Sequence, residues 1–86
     1  YAGGSEYIYD AATYRILRNA VFARHGRAFA SADLHDFFYG PEAVYRFRGM
    51  GIHLDSQYSD DRLTPTDRAN IERIRAYETR ASESEP

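Results

Sequence analysis

From Asp10 onward, apolar residues recur every three or four positions in three separate stretches. The first runs from Ala11 to His25-Gly26. Asp10 offers a side-chain oxygen to cap its start, and Gly26 is the residue type after which helices commonly stop. The second opens at Ser31 and carries Leu34, Phe37 and Phe38 on one side, until Gly40-Pro41 ends it. The third has the clearest start: a Thr64 cap, Pro65 at the first helical position and Asp67 as the acid two residues later. Ile71, Ile74 and Tyr77 follow at helical spacing. Residues 42–62 lack this period. There Ala43, Tyr45 and Phe47 alternate with Val44, Arg46 and Arg48, the pattern of a short strand. Gly49-Met50-Gly51 interrupts it, and Ser56 to Arg62 reads as a polar surface loop. The pattern predicts a mainly α, compact three-helix domain with a central first helix and an irregular or short-stranded segment before the third helix.

The first helix is expected to be central because it is apolar on two sides. On a helical wheel Tyr14, Leu17, Ala20 and Val21 share one face, with Arg24 projecting from its middle, while Phe22 lies nearly opposite beside Asn19. Asn19 and Arg24 are therefore expected to be partly buried and to need partners. On the third helix Glu78 falls within the Ile71–Ile74 stripe. The reading that satisfies both buried charges pairs Arg24 with Glu78 across helices one and three, with Asp33, Asp36 and Asp67 as rival partners for Arg24. Asn19 and Asn70 are expected to hydrogen-bond buried backbone.

Composition bounds the rest. With 86 residues the chain is long enough for one domain and too short for a multidomain enzyme or a full dinucleotide-binding fold. Residues 1–9 read as an approach segment, 10–80 as the domain and 81–86 as a frayed acidic tail. The opening Tyr1-Ala2-Gly3-Gly4, without Met, reads as a processed product or an excised piece. Eleven basic against thirteen acidic residues argue against a dedicated nucleic-acid binder. No apolar run is long enough to span a membrane. Cysteine is absent, which removes disulfides and thiolate metal sites. Every basic residue is Arg, a habit of GC-rich genomes or a need for planar, multi-donor cations. Eight Tyr and five Phe must supply much of so small a core.

The stretch Leu17-Arg18-Asn19-Ala20-Val21-Phe22-Ala23-Arg24-His25-Gly26 closely resembles the signature of the YARHG domain. Phe22 stands where that family has its eponymous Tyr, and Ala23-Arg24-His25-Gly26 match. Phe29, Leu34 and Phe38 are similar to the family's Phe…Leu…Phe spacing. Asn70-Ile71, Ile74 and Glu78 resemble its closing helix. Val44-Tyr45 departs from the Trp-Tyr common after the second helix, and the stretch from Arg46 to Arg62 is longer than expected. The resemblance implies an extracytoplasmic module (periplasmic, cell-surface or secreted) within a larger bacterial protein.

Few residues point to chemistry. His25, directly before the stop glycine, reads first as a helix-end cap meeting the dipole or free carbonyls. The alternative is a general base or ligand, making this a small enzymatic or metal-dependent domain centred on His25. His25, His35 and His53 lack zinc-ligand spacing, and no nucleophile elbow is present, so neither metal, cofactor nor catalytic residue is expected. Tyr45, Arg46, Arg48 and Tyr58, together with Phe47 and Arg62, form a candidate ligand surface suited to glycan, anionic polymer or protein. Against it stands the reading in which Tyr45 and Phe47 fill the core and the Arg side chains are merely solvated. Asn19, Arg24, His25, Gly26, Phe29, Asn70 and Glu78 form the structural motif. The function expected is a non-catalytic binding or interaction module of a bacterial cell-envelope protein, monomeric as an isolated domain, engaging cell-wall glycan or another envelope protein. It is expected to make no nucleic-acid contact and no direct membrane insertion. A structural spacer without any ligand is the remaining reading.

Overall fold

A computed structural model describes residues 9–84. Four helices follow in order: α1 (Ala11–Ala23), α2 (Ala32–Tyr39), α3 (Ala43–Arg46) and α4 (Pro65–Ser84), with one 3-10 turn at Asp60–Arg62 ahead of α4. The mainly α, central-helix architecture is the one that the periodicity predicts. α1 packs along α4 on one side and against α2 on another.

Local chemistry sets the helix ends. Asp10 accepts the Thr13 backbone N–H at 2.8 Å and caps α1. Beyond α1, Gly26 turns left-handed at φ 94°. The Gly26 N–H bonds the Ala23 carbonyl and the Arg27 N–H bonds the Phe22 carbonyl, closing a Schellman-type stop. The Arg27 guanidinium also lies 4.6 Å from the centre of the Phe22 ring. At α4 the Thr64 Oγ1 accepts the Asp67 N–H and the Asp67 carboxylate accepts the Thr64 N–H, both at 3.0 Å. This is the reciprocal capping box that the sequence suggests.

The two packed faces of α1 differ in chemistry. Toward α4, residues 14, 18, 21 and 25, at three- and four-residue steps along α1, meet 77, 78, 71 and 67 in an antiparallel seam. Val21 packs with Ile71 and Leu63, and Tyr14 stacks on Tyr77 at 5.7 Å. Toward α2, Ala23, Leu34 and Phe38 form a second core, joined by Ile16, Ala20, Phe29 and Phe47. Phe38 is its centre at 1% exposure. It stacks on Phe47 at 5.6 Å, and Phe29 sits equally close.

Three expectations are corrected. No strand occurs among the described residues: Ala43–Arg46 is a helical turn, closed by the Phe47 N–H on the Ala43 carbonyl. Ala43 and Phe47 are four apart and both turn inward, so the same residues that suggest alternation also satisfy a helix. A lone strand would have had no partner to pair with. The expected tail at 81 lies inside α4, because Ala81 is buried at 2% exposure and the helix runs on to Ser84. Leu17 is exposed, since it sits beside the seam position of Arg18 rather than on it. Most of the expected approach segment lies outside the described residues.

Candidate functional site

The motif residues converge where α1 ends and α4 begins. Gly26 leads the chain out of α1, and its carbonyl accepts the Asp55 N–H at 3.0 Å. A side chain at Gly26 would bring a Cβ within 2.6 Å of the Asp55 Cβ and 3.0 Å of its nitrogen. Glycine is required there twice over, for its positive φ and for this close approach. Next to it, the His25 Nε2 meets the Asp67 Oδ2 at 2.9 Å. The cap expected of His25 is thus corrected: its partner is the carboxylate of the capping box on α4, not a carbonyl of its own helix. That carboxylate is buried beside the joint, and hydrogen bonds from Thr64 and then His25 hold its pKa below the usual 3.8.

Arg62 ties the loop to the same corner. Its guanidinium donates to the His25 carbonyl at 3.1 Å, to the Asp55 carboxylate at 2.6 Å and to the Gln57 carbonyl at 3.2 Å. The Arg62 guanidinium is the main reason the Asp55 carboxyl titrates low. The end of α1 at position 25 and the loop at 55 and 57 are thereby held by one side chain.

Glu78 is paired as expected, but with a different arginine. The Arg18 Nε lies 2.7 Å from Glu78 Oε1 and Nη2 lies 3.3 Å from Oε2, a two-pronged contact. Arg24 is exposed. Its place on α1 explains the exchange. Arg24 lies about 100° around the helix from His25 and so off the seam, and it is six residues, about 9 Å of helix rise, beyond Arg18 toward Asp67. Asn19 behaves as expected: it is buried and donates to the Arg15 carbonyl at 2.9 Å. Asn70 does not. It is exposed, lying about 100° around α4 from Ile71 and so off the seam. Phe29 packs in the aromatic core.

The candidate ligand residues do not form one surface. Arg46 is committed to the fold: it donates to the Phe37 carbonyl at 2.8 Å and lies 4.4 Å over the Phe37 ring. Tyr58 belongs to a different region, where its hydroxyl donates to Asp60 at 2.6 Å. Burial first, then that carboxylate, push its pKa up to about 12. Tyr45 and Arg48, by contrast, line a groove of about 280 Å³ together with Val44, Phe47, Ile52 and His53. Tyr45 is 71% exposed, so the core-filling reading holds for Phe47 and fails for Tyr45. Among the described residues no cluster of three or more His, Asp and Glu could hold a metal, and no helix is long and apolar enough to cross a membrane.

The model of the YARHG domain family matches residues 7–79. The chain belongs to the YARHG domain family. YARHG domains are in general non-catalytic, extracytoplasmic modules of poorly defined function. Neither the curated proteins nor the solved structures include a match to this chain. Within this YARHG domain the Ala-Arg-His-Gly signature has a physical reading. Ala23 is fully buried against α2, His25 clamps α4 and Gly26 admits the 53–55 segment. Arg18 and Asp55 are the contributors that the sequence alone leaves unassigned, and Arg62, grouped by its sequence with the candidate ligand surface, belongs to this corner instead. The three- and four-residue spacing of 14, 18, 21 and 25 is the signal that places Arg18 on the seam. Asp55 and Arg62 lie in an aperiodic loop and carry no such signal.

Proposed function

We propose that this domain is a non-catalytic binding module of a bacterial cell-envelope protein, engaging cell-wall glycan or another envelope protein outside the cytoplasm. One observation carries the reading. Of the motif's charged groups His25 and Glu78 are spent on holding the helices together, while large apolar side chains are left in water on one segment. Of six large hydrophobic residues exposed among those described, Val44, Tyr45, Met50 and Leu54 fall within residues 44–54. Concentrated apolar exposure of this kind in a small domain is characteristic of a contact surface.

The His25-centred enzymatic reading draws less support. The imidazole's Nε2 faces Asp67, and that carboxylate also accepts the Thr64 N–H, so both groups serve as a clamp between helices. The test is retention of purified cell-wall fragments and of envelope proteins on the immobilised domain. Wild type is expected to retain one of the two, and the Tyr45→Ala/Arg48→Ala double variant to lose it. Absence of retention by wild type overturns the binding role.

A further inference from the structure

The groove between α3 and the following loop has a distinctive lining. Phe47 and Ile52 form apolar walls continuous with the second core, and Tyr45 and Val44 stand at its rim. Arg48 supplies its charge and His53 an imidazole, and no Asp or Glu lines it, although acids outnumber bases in the chain. Arg48 is exposed and has no carboxylate partner among the described residues, unlike Arg46 beside it, which pairs with Glu42. The volume of about 280 Å³ lies just under the roughly 300–1,000 Å³ of small-molecule sites, a size for one anchoring side chain and its neighbours.

Resting on the binding role above, we propose that this groove takes a short acidic segment of a protein partner. An apolar side chain of the segment seats between Phe47 and Ile52 and lies against the Tyr45 ring. A neighbouring carboxylate reaches Arg48 and His53. Charge complementarity argues for an anionic occupant, since the groove presents the Arg48 guanidinium, a hydrogen-bonding imidazole at His53 and no acid. The same lining argues against sugar. Hydroxyl-rich ligands need acceptors as well as donors, and in place of carboxylates or amides the groove offers only the Tyr45 hydroxyl and a His53 ring nitrogen as side-chain acceptors. A peptide carrying one apolar and one acidic side chain uses everything the groove presents.

The probe is a fluorescein-labelled peptide alternating Phe and Glu, titrated into the full chain by fluorescence anisotropy beside Phe/Gln and Phe/Arg versions. The acidic peptide is expected to bind best and to weaken as salt rises. Arg48→Ala and Tyr45→Ala are each expected to weaken it about tenfold. Both side chains are exposed, and matching thermal melts establish that the variants fold. Equal binding of the Phe/Gln peptide, or acidic binding unmoved by both substitutions, overturns the proposal. Competition by cell-wall glycan at the same residues, without peptide binding, also overturns it and leaves the broader binding role standing. Failure of peptide, glycan and envelope proteins alike removes both.

Discussion

Arg18 and Glu78 meet in a two-pronged ion pair on the α1–α4 seam: Arg18 stands between Tyr14 and Val21 on α1 and reaches to Glu78, the residue after Tyr77 on α4. Their side chains are 21% and 22% exposed, so each is largely taken from water and depends on the other. Arg18→Met is expected to lower the unfolding free energy by about 1–3 kcal/mol, less than the roughly 3–5 kcal/mol of a fully buried pair. Arg18→Met with Glu78→Leu should recover most of that loss, because no charge is then left without a partner. Arg24→Met, on an exposed position, should change stability by less than about 0.5 kcal/mol. Urea denaturation of the four proteins measures all of this. A loss for Arg24→Met as large as that for Arg18→Met would contradict the seam register.

Gly26→Ala tests the corner. The substitution forces a side chain into a positive φ and onto the Asp55 Cβ and backbone. It should cost about 1–3 kcal/mol and free residues 53–57 from the end of α1. The check is a thermal melt together with amide exchange at Asp55, whose N–H is held by the Gly26 carbonyl. Unchanged protection at Asp55 would count against the clamp.

Acid should loosen the domain through its carboxylates. Asp33, Asp55 and Asp67 all titrate below the ordinary 3.8 in the folded state, chiefly through Arg15, through Arg62 and through the Thr64 N–H respectively. A lowered folded pKa means stability that is complete above the unfolded pKa and lost as pH falls through and below it. The melting temperature should therefore lose these contributions progressively below about pH 4. Asp67→Asn should start lower at neutral pH and fall less steeply in acid. Melting curves across an acid series decide it, and parallel curves for the two proteins would exclude a role for this carboxylate.

Thr64 isolates the cap from the clamp. Thr64→Ala removes the hydroxyl that accepts the Asp67 N–H and should cost about 1 kcal/mol, whereas Thr64→Ser should be nearly neutral. Equal losses in the two variants, by chemical denaturation, would assign the effect to packing instead.

Phe38 and Tyr45 contrast core and surface. Phe38→Ala empties the centre of the second core and should cost about 3–5 kcal/mol. Tyr45→Ala, at an exposed ring, should stay within about 0.5 kcal/mol. A large loss for Tyr45→Ala would disqualify that residue as a surface probe.

Much of this architecture was legible because it is local. Asp10, Gly26 and the Thr64–Asp67 box mark helix ends through interactions spanning a few residues, and the spacing of Leu34, Phe37 and Phe38 needs only one helix. Errors arise where two helices must be set against each other. The isolated wheel points to Arg24, and only the packing of α1 on α4 shows that the seam runs through 14, 18, 21 and 25, which selects Arg18 for Glu78 and leaves Arg24 in solvent. His25 has the spacing of a cap, and its link to Asp67 spans 42 positions that no local rule reports. Ala43 to Phe47 fits two periods at once, and contact with Phe38 chooses the helical one.

The span between Phe47 and Asp55 is fastened at both ends, by stacking of Phe47 on Phe38 and by the Asp55 N–H on the Gly26 carbonyl. Apart from Ile52, which packs on the second core, what lies between bears little of the fold's weight, and lengthening a loop adds closure entropy only slowly. Residues 48–54 are thus an exchangeable cassette: their length and sequence can diverge, or be replaced by design, while the scaffold beneath stays the same.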